Sequence, residues 1–209
     1  MLVRKMLILT FLLAGGVSTV HAQVEVTPFF GTRFGGNIDF SQISNSVDHV
    51  HLKSSENFGG MFDYGFWSTF QAEFMWNRQP TSYTAFNTDG TTTFLTNANL
   101  DMYQFSMVYQ FRDPERKLRP FAVAGLGFTH FGASDVLGFG SRFSYNIGGG
   151  VKYYFSKHVG LRIETRYSPS RTTTGQGTFC DPFFGCSTVA VSNHAQQGQA
   201  NLGLIFRFK

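Results

Sequence analysis

From Val159 to Pro169 the chain reads VGLRIETRYSP. Val159, Leu161, Ile163, Thr165 and Tyr167 hold one parity; Arg162, Glu164 and Arg166 hold the other. A period of two marks a β-strand, whose successive side chains point to opposite faces. The same period recurs along the chain and predicts strands over 24–35, 57–67, 68–77, 101–111, 119–131, 142–155, 159–168 and 199–208. The second and third follow almost without a break, so they read as a hairpin with a tight turn near Trp67. Eight strands of about ten residues have the length that a tilted membrane strand needs. The connections alternate. Long polar stretches run over 39–56, 79–100 and 169–197, with an intermediate one over 132–141. Short turns fall near Trp67, at RDPERKL (112–118) and at SKH (156–158). Long outer loops alternating with short inner turns are the layout of an outer-membrane barrel.

Alternation alone does not say which face is inside. A soluble barrel would bury the apolar parity and show the charges to water. Size decides between the two. The apolar parity carries Phe58, Phe62, Tyr64 and Phe66, then Phe70, Phe74 and Trp76, then Tyr103, Phe105, Tyr109 and Phe111, with more rings on the later strands. An eight-stranded interior is just wide enough to be filled by side chains and cannot hold that many rings. The opposite parity is small or polar and includes Gly59, Gly65, Gly125, Gly127, Gly148, Gly150, Gly160 and Gly203. The rings therefore face lipid. Tyr and Trp near the strand ends fit aromatic girdles at the two interfaces. The inward parity then holds Glu25, Asp63, Glu73 and Glu164 with Arg33, Lys152, Arg162, Arg166 and Arg207. On the lipid face each Arg or Lys near the midplane would cost about 2–4 kcal/mol. Facing inward, opposite charges can pair. The expectation is a plugged, salt-bridged lumen.

Composition fits this picture. Charged residues are 14% of the chain and aromatic residues 17%, with 25 Phe among them. Typical soluble domains carry about 25% charged residues. Residues 1–22 have a basic start (Arg4, Lys5), an apolar run and a small-residue cleavage site, Val20-His21-Ala22, so they read as a signal peptide with the barrel domain over 23–209. The net charge of +4 falls to +2 once Arg4 and Lys5 leave, which gives no argument for nucleic-acid binding. Cys180 and Cys186 in TFCDPFFGC predict a local disulfide in an exported chain. That staple would present Phe183 and Phe184 at a tight tip. The two rings serve either as a surface contact or as packing on the barrel mouth.

KLRPFAVAGLGFTHF, GGGVKYYFSKHVGLRIETRYSP and the terminal NLGLIFRF resemble the second half of small OmpA-like outer-membrane β-barrels. The resemblance implies an all-β fold, an eight-stranded antiparallel transmembrane barrel, and outer-membrane lipid around it. It also implies a C-terminal aromatic signal read by the barrel-assembly machinery, here Phe206 and Phe208. Lys209 follows that signal, where the family usually ends on the aromatic residue. The peptidoglycan-binding domain of larger relatives is not expected.

Catalysis finds little support. Ser192-Asn193-His194, and His130 with Ser134, could join Asp135 or Asp181 in a hydrolase only around an activated nucleophile, and no nucleophile motif is present. Asp48-His49-Val50-His51 is a weak metal signal that loop polarity explains equally well. The glycine pairs lie inside strands, outside the strand–loop–helix setting of nucleotide loops. Neither enzyme activity, cofactor nor metal is expected. The function expected is a structural barrel whose long loops meet a host or surface ligand. A narrow or gated porin-like channel is the alternative, and a lipid-modifying enzyme ranks below both.

Overall fold

The computed structural model describes residues 23–39, 47–87, 91–111, 116–132, 140–171, 176–181, 185–190 and 194–208. Residues 1–22, for which a signal peptide is expected, and Phe183, Phe184, Ser192, Asn193, Ser134, Asp135 and Lys209 lie outside the described residues. Eight strands form the wall: β1 (Gln23–Gly35), β2 (Ser55–Gly65), β3 (Phe70–Asn87), β4 (Thr92–Gln110), β5 (Leu118–Phe131), β6 (Ser141–Tyr154), β7 (Val159–Tyr167) and β8 (Gln197–Phe208). Each pairs antiparallel with the next, and β8 returns to β1 with Glu25 opposite Arg207 and Arg33 opposite Gln199. The sheet is closed. Every wall strand has two neighbours, which is the condition for backbone hydrogen bonds to survive in lipid.

The faces follow the two-residue period. Phe30 and Phe105 are 65% and 64% exposed on the outside, whereas Arg33, Met75 and Lys152 are fully buried inside. The outer rings gather in two belts. Near the short turns, Trp67 lies 6.0 Å from Phe70, Phe70 lies 5.0 Å from Tyr109, and Tyr153 lies 5.2 Å from Phe155, centroid to centroid. Toward the other end, Phe58 lies edge-on to Trp76 at 6.4 Å and Phe128 to Phe143 at 6.1 Å. Just beyond that second belt, Arg78 Nε donates to Asp101 Oδ1 at 2.7 Å and its guanidinium sits 5.9 Å from the Trp76 ring. An outward-facing ion pair is costly at the bilayer midplane and tolerable at the interface, so Arg78 and Asp101 mark the edge of the lipid band.

The strands run further than periodicity predicted. β3 and β4 are 18 and 19 residues long. They take in most of 79–100, which the polar composition had assigned to a loop. Loop segments 39–56 and 169–197 also contain strands, at Val47–Leu52 pairing β3 and at Gln176–Asp181 pairing Gly185–Ala190. The cause is physical. Outside the membrane a strand needs its cross-strand hydrogen bonds but no apolar face, so Thr, Asn and Ser extend the ribbon without leaving an alternating hydrophobic trace. At the outer end of β1 the chain turns through Gly35 and Gly36, with φ of 85° and 105°, a conformation that favours glycine.

Inside, two glycines make room for charge. Gly148 and Gly150 on β6 stand opposite Arg166 and Glu164 on β7. A Cβ at Gly150 would fall on the Ile163 carbonyl and against Glu164, and one at Gly148 on the Thr165 carbonyl and against Arg166. Gly150→Val should therefore prevent tight pairing of β6 with β7. Its expected signature is loss of the compact, heat-modifiable band when unheated and boiled protein are compared on a gel. A variant that kept that band with unchanged urea resistance would contradict the close approach.

Candidate functional site

The registers of β1, β2 and β3 set Glu25 opposite Asp63 and Asp63 opposite Glu73. All three carboxylates are buried. Like charges directly opposite on neighbouring strands destabilise a sheet. The far wall repeats the problem with the other sign, since Lys152 on β6 stands opposite Arg162 on β7. Neither row is stable alone.

The two rows meet across the lumen. Lys152 Nζ donates to Glu25 Oε2 at 2.8 Å, Asp63 Oδ2 at 2.9 Å and Gln71 Oε1 at 2.7 Å, which uses all three of its donors. Arg162 Nη1 donates to Asp63 at 3.0 Å and Nη2 to Glu73 at 2.6 Å. Arg166 Nη2 donates to Glu73 Oε2 at 3.0 Å, and its Nη1 lies 2.8 Å from Glu73 Oε1 as an ion pair without hydrogen-bond alignment. Glu164 sits between the arginines. It accepts from Arg162 Nε and Arg166 Nε at 2.8 Å each, and from Asn201 Nδ2 at 3.1 Å. At the seam Arg207 Nε donates to Glu25 Oε1 at 3.0 Å, and the Tyr154 hydroxyl donates to the same oxygen at 2.7 Å. The Arg207 guanidinium lies 3.5 Å from the Tyr154 ring centroid, and that of Arg119 lies 4.2 Å from it.

Four acids thus engage four bases, Lys152, Arg162, Arg166 and Arg207, and a further buried base, Arg119, stands beside them opposite Lys152. Apolar groups back the layer on both sides. Arg162 lies 4.5 Å from the Phe121 ring centroid, and Phe121 packs with Val108 and Val123. Further toward the outer end, Phe29, Met61, Met75 and Met102 fill the next level. The layer bridges opposed walls with full-length side chains and is floored and roofed by packed carbon. It is built to hold the walls together and to occupy the bore.

Arg33 does not join this network, although its inward parity grouped it there. It lies on the outer side of the methionines and donates to Gln199 Oε1 at 2.8 Å, to Gln79 Oε1 at 3.4 Å and to Met102 Sδ at 3.3 Å. Several polar members of the lumen escaped sequence reasoning: Arg119, Tyr154, Gln71, Gln199 and Asn201. Parity could have found Tyr154, which is two residues from Lys152. It could not have found Arg119, because Phe121, Val123 and Phe131 share the inward face of β5 and hide its alternation.

The remaining candidates scatter. Cys180 and Cys186 stand directly opposite each other in the hairpin formed by Gln176–Asp181 and Gly185–Ala190. His130 bonds Ser141 Oγ at 3.1 Å on the outer surface. The His194 backbone pairs with Arg171, and His49 and His51 lie on the strand beside β3. Phe206 and Phe208 point outward at the end of β8.

The family model described as the outer membrane protein beta-barrel domain matches residues 9–208. The chain belongs to that family. Among solved structures it is similar to the outer membrane protein OprG from Pseudomonas aeruginosa, at 13% identity and a TM-score of 0.69, over 90% of this chain and 96% of that one. It is also similar to Neisserial surface protein A, at 14% identity and a TM-score of 0.54, over 90% and 97%. The N-terminal barrel of OprF from Pseudomonas aeruginosa is similar at 18% identity and a TM-score of 0.51, over 89% and 97%. At these identities the likeness concerns the fold. No curated protein matches the chain. The family places this barrel in the outer membrane.

Glu164→Gln should unbalance the layer. It removes the charge that Arg162 and Arg166 share while leaving both guanidiniums buried. Removing one partner of a buried ion pair costs about 3–5 kcal/mol, so the urea midpoint of the folded barrel should fall accordingly. An unchanged midpoint would show that the layer carries little of the stability.

Proposed function

We propose that this outer-membrane barrel has a closed lumen and serves as a structural platform that presents its outer strands and loops for interaction. The observation that carries the proposal is the ion-pair layer between opposed walls, packed against Phe121 and the three buried methionines. A bore occupied in this way has little room for solute. The outward band of rings takes outer-membrane lipid as its partner. Phe206 and Phe208 are the proposed signal for the barrel-assembly machinery, and residues 1–22 the proposed export signal. The reading assigns the protein no catalytic step.

The platform consists of the extended β3–β4 ribbon and the hairpin around Cys180 and Cys186. Directly opposed residues in an antiparallel pair have Cα atoms about 4.5–5.5 Å apart, within the range that a disulfide spans. We therefore propose that the two cysteines staple this hairpin and present Phe183 and Phe184 to a host or surface ligand. A narrow or gated channel is the second reading. It is favoured by unpartnered lumen amides, the side chain of Gln104 and that of Gln197.

Planar-bilayer recording separates the two readings. Purified wild type should give no discrete conductance steps, and regular steps would favour the channel. The platform has its own check. Binding of cells bearing the protein to a surface should fall when Cys180 and Cys186 are both replaced by Ser or the tip 182–184 is deleted, with the gel shift preserved. Binding unchanged in both variants would remove the hairpin from the reading.

A further inference from the structure

Arg33 is a fully buried guanidinium with no carboxylate in ion-pair contact among the described residues. Its partners are the carbonyl oxygens of two amides and one thioether. The Gln79 contact is long, at 3.4 Å, and Nε has no hydrogen-bond partner at all. The inner charge layer cannot compensate it, because its four acids are already engaged by Lys152, Arg162, Arg166 and Arg207, and Phe29, Met61, Met75 and Met102 lie between. Taking an ion out of water without a counter-charge is among the most costly arrangements in a protein.

The surroundings of Arg33 are amide-rich. Gln199 accepts from both Arg33 and Asn77 Nδ2, at 2.8 and 2.9 Å, and its own Nε2 rests on Met75 Sδ at 3.9 Å. Gln104, opposite Met75 in register, is fully buried with both its amide atoms unpartnered. One inward position further out on β8, Gln197 is also buried with both atoms unpartnered. On β6, the Ser144 hydroxyl is buried and unpartnered as well. Unsatisfied buried donors are rare in folded proteins. Among the described residues, Gln104 stands at the level of Met75, Gln197 lies beyond it toward the extracellular end, and Arg142 Nε is a second unpartnered buried guanidinium donor on the inward parity of β6.

We propose that the outer half of the lumen is a binding site for a small anion of the chloride or acetate class, held by Arg33 and the neighbouring side-chain amides. The free Nε–H supplies the charged donor. Gln197 and Ser144 line the polar approach from outside. The methionine level limits how far an anion travels, so the site is a terminus and not a conduit, and it is independent of whether the barrel presents its loops to a ligand.

Chloride and acetate serve as probes on the refolded full-length barrel in detergent. The melting midpoint of the gel-shift transition is read in sodium chloride, sodium acetate and sodium gluconate at one ionic strength. Chloride-35 line broadening is read in parallel. The wild type should melt higher in chloride or acetate than in bulky gluconate, and should broaden the chloride signal in a way that acetate reverses. Arg33→Met should abolish both responses and, in gluconate, melt no lower than wild type, because it removes an uncompensated charge. Lys53→Met, at an exposed position, should behave as wild type. Should the methionine variant not refold, Arg33→Gln takes its place. A wild type indifferent to the anion, equal responses in wild type and Arg33 variants, or an Arg33 variant melting lower in every salt would each overturn the site. The last would mean that the protein itself compensates the charge.

Discussion

Three carboxylates on adjacent strands, Glu25, Asp63 and Glu73, stand in direct register on one wall of a narrow barrel. Nothing on their own wall can neutralise them. Their counter-charges come from β6, β7 and β8, on the far side of the lumen. The wall can therefore exist in its folded form only when the sheet has curled far enough for Lys152, Arg162 and Arg166 to reach across. This couples local register to global closure. A slip of one residue in any of these strands would turn its charged row toward lipid, where each basic residue is costly.

The same constraint explains the division of side chains between the two faces. The bore must accept long bases that cross it, so positions beside them are small. Gly148 and Gly150 stand next to Arg166 and Glu164, and Gly203 stands next to Arg162. Rings that would compete for the space are sent outward, where lipid accepts them and the interfacial belts use them. The few lumen rings that remain have a use there. Phe121 lies under Arg162, and Tyr154 lies between Arg207 and Arg119. A flat ring covers a guanidinium face while leaving the edge donors free for carboxylates.

The parts legible in the sequence were those where one period held without interruption. β7 and β8 alternate cleanly, and their faces could be assigned from the chain alone. β5 could not be assigned in this way, because its inward face is itself apolar: Phe121, Val123 and Phe131 serve the interior while Leu126 and Phe128 meet the lipid. Strand length was misjudged wherever the wall leaves the membrane, since β3 and β4 continue there on hydrogen bonds alone. Parity also grouped Arg33 with the other lumen charges. Parity reports the face and says nothing about height along the axis, and a level of methionines separates Arg33 from the acids.

Closure itself is written into the charge layer at the seam. Glu25 on the first strand receives Lys152 and Tyr154 from β6 and Arg207 from β8. A sheet lacking β8 would leave Glu25 short of Arg207 and Glu164 short of Asn201, and a sheet lacking β7 would leave Asp63 and Glu73 facing each other without either arginine. The low dielectric of the bore makes each unpaired state costly and each completed pair strong. Intermediate sheets thus gain little from the layer, whereas the closed barrel gains all of it at once. The layer that fills the bore therefore also makes closing the barrel an all-or-none event.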